Sequence, residues 1–224
     1  MRVLYLHGFS QNKYKFKIKT RAINSCFSPE DELVFLDAPI EINSNEDHVF
    51  TNYPKTHTEV YPGNEETSRA WWIYESRSNG IIEGFENTMK YLEYMVEKLG
   101  PFDGVVGFSQ GAILGSILCS ILESEDRIEY KFSNQPPLKF AVMIGGTKPI
   151  TPSLQKYFEK KKKTKSLHII GKWDTVASNE RSLMLADSFF DSKIAYHQGA
   201  HIVPLSGAIL KECSNLIETI KTLA

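Results

Sequence analysis

The amino-acid sequence predicts an α/β fold, in which a mainly parallel sheet of about six strands carries helices on both faces. Short runs rich in Val, Ile, Leu and Phe alternate along the chain with segments whose apolar residues recur at helical spacing. Most runs are almost continuously apolar, which is typical of strands buried on both faces of a parallel sheet. The 224 residues can fill one core and are few for two, so we expect a single domain over residues 1–224.

Six apolar runs are the predicted strands. Each has the length of a buried strand and is rich in β-branched or large apolar residues. In chain order they are residues 2–6, 33–36, 104–108, 138–144, 166–170 and 193–197.

Four helices are predicted between and after these strands. Residues 85–99 carry an apolar stripe that Gly100-Pro101 ends, and a second stripe of the same spacing lies at the end of the chain. A third helix should begin just after Ser109, and a fourth should occupy about 179–190. The two stripes are Phe85, Met89, Leu92, Val96 and Leu99, and Ile209, Cys213, Leu216, Ile220 and Leu223.

Residues 39–82 break the alternation of strands and helices. This polar segment contains three prolines and the neighbouring Trp71 and Trp72. Loops of this length in a compact domain are usually functional or disordered, and two tryptophans argue against disorder. We therefore expect a lid-like insertion over a binding cleft, with a plain packing insertion as the alternative.

Charge indicates no nucleic-acid partner. Lys and Arg number 26 and Asp and Glu 27, so the net charge of −1 offers no attraction to nucleic acid or an acidic membrane. The basic run at residues 159–163 is expected to be solvated at a helix end. No segment approaches the ~18 apolar residues of a membrane span.

The cysteines and the N-terminal residues favour the cytoplasm. Cys26, Cys119 and Cys213 lack the spacing of a zinc or redox site, and Cys119 and Cys213 are expected to be buried free thiols. Free thiols point to a reducing compartment. The apolar run at residues 3–6 is shorter than the roughly 7–15 residues of a signal-peptide core.

One serine lies between two glycines where a predicted strand meets a predicted helix. Gly107, Ser109 and Gly111 match the pattern G-x-S-x-G. In such a turn the serine is strained, and side chains two residues before and after it would strike the neighbouring strand and helix. The new helix directs N–H groups at negative charge that develops beside the hydroxyl. Ser109 is therefore the predicted nucleophile.

An acid and a base follow in the order that such a serine requires. An unassisted hydroxyl is weakly nucleophilic, and in hydrolases of this type an acid and then a histidine follow later strands. Asp174 comes soon after the strand at 166–170, and His201 after the strand at 193–197. Asp187 and Asp191 are rivals for the acid, but they lie on or just after a helix.

Five other histidines have less fitting positions. His197 is the rival base, although its place in a strand would aim it away from the cleft. His168 is expected on a sheet face, and His48 and His57 on surface loops. His7 follows the first strand directly, where we expect it to shape the loop by local hydrogen bonds rather than to act as a second base.

The loop after the first strand is the expected second part of an oxyanion site. Backbone N–H groups in this loop and in the residue after the nucleophile hold the oxyanion in such enzymes. The two donors are predicted to be Phe9 and Gln110. The side chains of Phe9, Trp71 and Trp72 are expected to line an apolar pocket.

These residues resemble the FSH family of serine hydrolases. The resemblance is carried by residues 6–12 (LHGFSQN), 37–39 (DAP), 69–72 (RAWW), 100–111 (GPFDGVVGFSQG) and 199–204 (GAHIVP). It implies an α/β-hydrolase fold, carboxylic-ester hydrolysis without cofactor or metal, and a triad of Ser109, Asp174 and His201. Where the family often has two glycines before the histidine, this chain has Ala200 as the second.

The predicted activity is cleavage of a small-molecule ester, with an acyl or other hydrophobic group, through an acyl-enzyme. A thioesterase or an amide hydrolase would use the same triad and stays open as an alternative. A non-catalytic binding protein on the same fold is the alternative of another class. A dinucleotide-binding domain is disfavoured, because the loop after the first strand has one glycine where G-x-G-x-x-G needs three.

Overall fold

The computed structural model describes residues 1–42, 48–50, 67–76, 80–124 and 130–223, with the side chains of 48–50 and 76 left aside. In chain order the elements are β1 (Arg2–Leu6), α1 (Lys13–Lys19), α2 (Arg21–Asn24), β2 (Glu32–Leu36), β3 (Ile40–Ile42), β4 (His48–Phe50), β5 (Ser68–Ala70), β6 (Ile73–Ser76), β7 (Ile81–Glu83), α3 (Phe85–Leu99), β8 (Gly104–Phe108), α4 (Gln110–Glu123), β9 (Phe140–Ile144), a 3-10 helix (Pro152–Phe158), β10 (Lys165–Gly171), α5 (Asn179–Asp187), β11 (Ser192–His197) and α6 (Gly207–Thr222).

The six predicted strands form one sheet, which confirms the predicted α/β class. Their order is β11-β10-β9-β8-β1-β2, and all neighbouring pairs are parallel. The carboxyl ends of parallel strands meet at one edge, so the loops that follow β1, β8, β10 and β11 lie along the same edge of the sheet. Ligands of open parallel sheets bind at this edge.

The sheet separates two apolar clusters, as expected for helices on both faces. In β1, Leu4 and Leu6 belong to the cluster that contains α3 and α4, whereas Val3 and Tyr5 belong to the cluster that contains α6. All four side chains are fully buried. Full burial of an aliphatic side chain contributes about 1.5–3 kcal/mol, so both faces of the sheet hold the helices in place.

The predicted helices form, with differences at their ends. The stripe of α3 is buried at Phe85, Met89, Leu92 and Val96. In α6, residue Leu223 lies beyond the last helical residue and is exposed, contrary to its place in the predicted stripe. Helix α5 ends at Asp187 rather than near 190. Helices α1 and α2 were not predicted, because each buries a single side chain and so shows no apolar period.

The described part of residues 39–82 contains two small antiparallel sheets. Strands β4, β3 and β5 form one, and β6 and β7 form a hairpin. These strands have three or four residues each, too few for a readable alternation of polar and apolar residues. The rest of the expected lid-like segment, residues 43–47, 51–66 and 77–79, lies outside the described residues.

The basic run at 159–163 is not solvated throughout, contrary to expectation. Lys162 is 1% exposed, and its Nζ lies 4.5 Å from the ring centroid of Phe158 and 5.0 Å from that of Phe189. Burial lowers the pKa of Lys162 to about 8. The backbone of Lys162 pairs with the segment after α5, and this pairing carries the side chain inward.

The cysteines are free, and Cys119 and Cys213 are buried as predicted, whereas Cys26 is partly exposed. Among the described helices none is both long enough and apolar enough to cross a membrane.

Candidate active site

Ser109 occupies a sharp turn between β8 and α4. Its φ of 53° and ψ of −115° lie in a region that side-chain-bearing residues rarely adopt, at a cost of about 1–3 kcal/mol. A Cβ at Gly107 would lie 2.4 Å from the Gly111 carbonyl oxygen, and a Cβ at Gly111 would lie 2.1 Å from the Leu6 carbonyl oxygen. Both glycines therefore have the steric role that the sequence indicates, one against α4 and one against β1.

The structure brings Ser109, His201 and Asp174 together. His201 Nε2 lies 2.8 Å from Ser109 Oγ, and His201 Nδ1 lies 2.7 Å from Asp174 Oδ2. The three residues follow β8, β11 and β10 respectively, so all come from the carboxyl edge of the sheet. The side chain of Asp174 is 2% exposed and that of His201 18%, so the imidazole forms the boundary between the interior and solvent.

The hydrogen bonds of Asp174 determine the histidine tautomer. Asp174 Oδ1 accepts the backbone N–H groups of Val176 at 2.9 Å and Ala177 at 2.7 Å. Its Oδ2 accepts from His201. Because an ionised carboxylate only accepts, the imidazole proton lies on Nδ1, and Nε2 is free to accept the Ser109 hydroxyl proton.

His201 is contacted by two residues, Phe108 and Gly145, whose role the sequence did not reveal. The Phe108 ring lies 4.9 Å from the imidazole, centroid to centroid. Gly145 has a φ of +55°, and a Cβ there would lie 3.1 Å from His201 Cε1 and 3.2 Å from Nδ1. Gly145 directly follows β9 at the carboxyl edge, and that position was the available signal for it.

The rival acids and bases are not part of this cluster. Asp187 and Asp191 are exposed and pair with Lys161 and Lys165. The Nδ1 atom of His197 accepts the Gly199 N–H at 3.1 Å, and burial lowers the pKa of His197, partly offset by Asp174.

The remaining histidines also lie elsewhere. His168 is buried, with Nε2 3.0 Å from Ser166 Oγ, and burial lowers its pKa to about 3. The side chain of His48 and the whole of His57 lie outside the described residues.

His7 shapes the loop after β1. Its Nδ1–H donates to the Gly8 carbonyl at 2.8 Å, and its Nε2 accepts the Ala38 N–H at 3.0 Å. Complete burial lowers the pKa of His7 to about 4, with Gly8 and Asp37 acting in the opposite direction. His7 is thus a neutral imidazole that joins the loops after β1 and β2.

The backbone N–H groups of the two expected oxyanion donors have no acceptor among the residues that the structure describes. Neither Phe9 nor Gln110 donates its backbone N–H to any residue that the structure describes. Gln110 is the first residue of α4, where N–H groups lack an intrahelical acceptor. The loop that carries Phe9 contacts the turn, since a Cβ at Gly8 would lie 2.8 Å from the Phe108 ring.

The two tryptophans do not line a pocket, contrary to expectation. Trp71 and Trp72 are fully buried in the core beside α3, so neither side chain presents surface to a cleft. Their hydrophobicity reflects packing, which the sequence alone cannot separate from ligand binding. Phe9 is 43% exposed.

Other apolar side chains are exposed on the loops of the site. The loops after β10 and β11, which carry Asp174 and His201, also carry Trp173, Val176, Ile202 and Leu205. Trp173 is 70% exposed, and the other three are more than half exposed. Together with Phe9 they form what we call the apolar rim.

A serine, a histidine and an aspartate linked at the carboxyl edge of a parallel sheet define the α/β-hydrolase class. The fold agrees: a solved structure of acyl-protein thioesterase 2 from Zea mays superimposes with a TM-score of 0.62 at 17% identity, covering 98% of this chain and 93% of its own. The Arabidopsis thaliana protein SOBER1 superimposes with a TM-score of 0.60 at 18% identity, covering 99% of this chain and 99% of its own.

The family follows from the sequence comparison. The family model described as "Serine hydrolase (FSH1)" matches residues 1–213, so the chain belongs to this family of serine hydrolases. Among curated relatives, Esterase OVCA2 of Danio rerio is 29% identical over 218 residues, which cover 93% of this chain and 92% of the relative.

Proposed function

We propose that this protein hydrolyses carboxylic esters through an acyl-enzyme on Ser109. The observation that carries the proposal is the continuous hydrogen-bonded chain from Ser109 Oγ through His201 to the buried Asp174. Two backbone N–H groups fix the Asp174 carboxylate, and the carboxylate holds the His201 base in the tautomer that accepts a proton from serine. This arrangement activates a serine hydroxyl.

The geometry supports a reaction in two halves. His201 Nε2 accepts the Ser109 proton as Oγ attacks the substrate carbonyl carbon, and the carbonyl oxygen takes the negative charge. The N–H groups of Phe9 and Gln110 stabilise that oxyanion. His201 then gives its proton to the departing alkoxide, which leaves an ester on Ser109. Water, deprotonated by His201, attacks this ester, and the acid is released as Ser109 regains its proton.

Substrates with an apolar acyl or alcohol group fit the surroundings best. The apolar rim, formed by Phe9, Trp173, Val176, Ile202 and Leu205, offers exposed apolar surface on the loops that carry the reacting groups. Burial of apolar surface gives about 25 cal/mol per Å², so a hydrophobic substrate gains binding energy there that a charged one does not.

Ser109→Ala tests the proposal. Alanine fits the same turn, so the fold should persist while kcat falls on the order of 10⁶-fold, as in other serine hydrolases. A fluorophosphonate probe should label the parent and not the variant. Ser206→Ala is the matched control, because this exposed serine at the start of α6 makes no side-chain cap and should leave labelling unchanged. A folded parent that is not labelled and shows no turnover would instead indicate a binding protein.

Thioester cleavage is the second candidate. The structural neighbour named as an acyl-protein thioesterase shares the fold, and a thioester would use the same base and oxyanion site. Turnover of matched ester, thioester and amide substrates, with the same acyl group, separates the three reactions. A higher kcat/KM for the amide than for the ester would contradict the proposed class.

We also expect the protein in a reducing compartment such as the cytoplasm. The support is that its thiols, Cys26, Cys119 and Cys213, are free and unpaired as disulfides.

A further inference from the structure

Residues 69–72, which we call the strap, cross the loops at the carboxyl edge of the sheet. The strap pairs with the loop after β1, because Arg69 N–H donates to the Gln11 carbonyl at 2.9 Å and Ser10 N–H donates to the Arg69 carbonyl at 2.9 Å. Arg69 Nη1 also donates to the Ala38 carbonyl, in the loop after β2, at 3.1 Å. One short segment thus contacts two of the loops that surround the site.

Trp71 extends these contacts to the nucleophile turn. Its indole Nε1–H donates to the His7 carbonyl at 2.8 Å, and its backbone N–H donates to the Gln110 side-chain oxygen at 2.9 Å. The Gln110 side-chain NH₂ donates to the Trp72 carbonyl at 2.7 Å. Thr88 at the start of α3 donates its hydroxyl to the Trp71 carbonyl. All of these groups are buried.

These bonds connect the two proposed oxyanion donors. Phe9 is two residues after His7, whose carbonyl is bound by the Trp71 indole, and Gln110 is bound by the Trp71 backbone through its own side chain. An oxyanion site functions only if its donors lie about 2.7–3.1 Å from the place that the oxyanion will occupy. The donors come from loops after two different strands, so their spacing depends on what joins those loops.

On the basis of the proposed function, we propose that the side chains of Trp71 and Gln110 are positioning residues that set the spacing of the Phe9 and Gln110 N–H groups. The burial of these hydrogen bonds makes the arrangement rigid, since a buried amide or carbonyl without a partner is costly. Neither side chain touches the reacting atoms. Both act through the backbone that holds the oxyanion.

Trp72 provides a matched comparison within the strap. Its side chain is as fully buried as that of Trp71, and it packs against Phe85 at 5.9 Å between ring centroids. Its indole Nε1–H, however, has no hydrogen-bond partner in the described part of the chain. Replacing either tryptophan by phenylalanine removes similar bulk from the same core, but only the change at Trp71 removes a hydrogen bond to the oxyanion loop.

The experiment compares Trp71→Phe with Trp72→Phe on an ester substrate. We expect Trp71→Phe to lower kcat about tenfold, equivalent to about 1.4 kcal/mol of transition-state stabilisation. KM should change less than about twofold, because the lost interaction acts in the transition state. Trp72→Phe should leave both constants close to those of the parent. Equal effects of the two variants on kcat would overturn the proposal and leave a packing role.

Binding of a trifluoromethyl ketone gives a second readout that packing alone should not change. The Ser109 hydroxyl oxygen adds to the carbonyl carbon of this inhibitor, and the product is a tetrahedral oxyanion. The Ki should therefore rise with Trp71→Phe by the same factor by which kcat falls. If the Ki is unchanged while kcat falls, the oxyanion site is intact and the inference is wrong.

Gln110→Met keeps the experiment decisive if Trp71→Phe does not fold. Methionine has a similar length and retains the backbone N–H of residue 110, but it makes neither bond to the strap. The same fall in kcat and rise in Ki are expected, and parent-like values would contradict the inference. A failure of the proposed function is distinct, since the parent would then show neither turnover nor ketone binding that depends on Ser109.

Discussion

Replacing Asp174 by Asn tests how the carboxylate controls the histidine. In the parent, Oδ1 accepts two backbone N–H groups at 2.9 and 2.7 Å, while Oδ2 accepts from His201 at 2.7 Å. Asparagine has one oxygen for these three donors. The two backbone N–H groups of Val176 and Ala177 compete for it against a single imidazole N–H.

The competition favours the unproductive arrangement. If the amide NH₂ faced the backbone instead, two hydrogen bonds of about 0.5–1.5 kcal/mol each would be lost. With the oxygen on the backbone, the NH₂ faces His201 Nδ1, which must then accept. The imidazole proton moves to Nε2, which lies 2.8 Å from Ser109 Oγ and no longer accepts the serine proton. The variant also loses the charge that stabilises the imidazolium.

We therefore expect Asp174→Asn to lower kcat on the order of 10⁴-fold, equivalent to about 5.5 kcal/mol, the size seen when a triad aspartate is amidated. Steady-state turnover of an ester measures the loss, and thermal unfolding confirms that the fold persists. Asp187→Asn is the control, because this exposed carboxylate pairs with Lys161 and should leave kcat unchanged. The reasoning is refuted if Asp174→Asn retains kcat within tenfold of the parent.

Two further predictions concern the surroundings of the site. Gly145→Ala should lower kcat at least tenfold, because its Cβ would lie 3.1 Å from His201 Cε1 and the φ of +55° disfavours alanine. Ester turnover measures this loss. Parent-like activity would mean that His201 has room to move. The pKa of His7, lowered from 6.5 to about 4, means that the unfolded chain binds the proton more readily, so this group's contribution to stability is present above pH 6.5 and is lost as the pH falls toward 4. Urea unfolding between these pH values should show that His7→Asn loses less stability than the parent, by up to about 3 kcal/mol, and identical pH slopes would contradict a neutral buried His7.

Much of the fold is encoded in local sequence patterns. Strands buried on both faces, such as β8, must be apolar along their whole length, and the stripe of α3 must follow the helical period, so both are readable without contacts. The turn at Ser109 is local in part, because the clash that requires glycine at 107 lies within one strand–turn–helix unit, whereas the clash that requires glycine at 111 is with Leu6 of the neighbouring β1. Asp174 and His201 could be proposed because parallel strands end at one edge, which places the loops after them together.

Tertiary structure decided what depends on partners far away in the chain. Trp71 and Trp72 have the same side chain and are adjacent, yet one indole N–H reaches the His7 carbonyl and the other has no partner among the residues described. Lys162 is buried although four of its neighbours in the run are charged, because its backbone pairs with the segment after α5. Local sequence determines which residues favour a strand, a helix or a sharp turn. A buried hydrogen bond, or the steric limit that Gly145 sets on His201, forms only when packing brings two residues that are distant in the chain into contact.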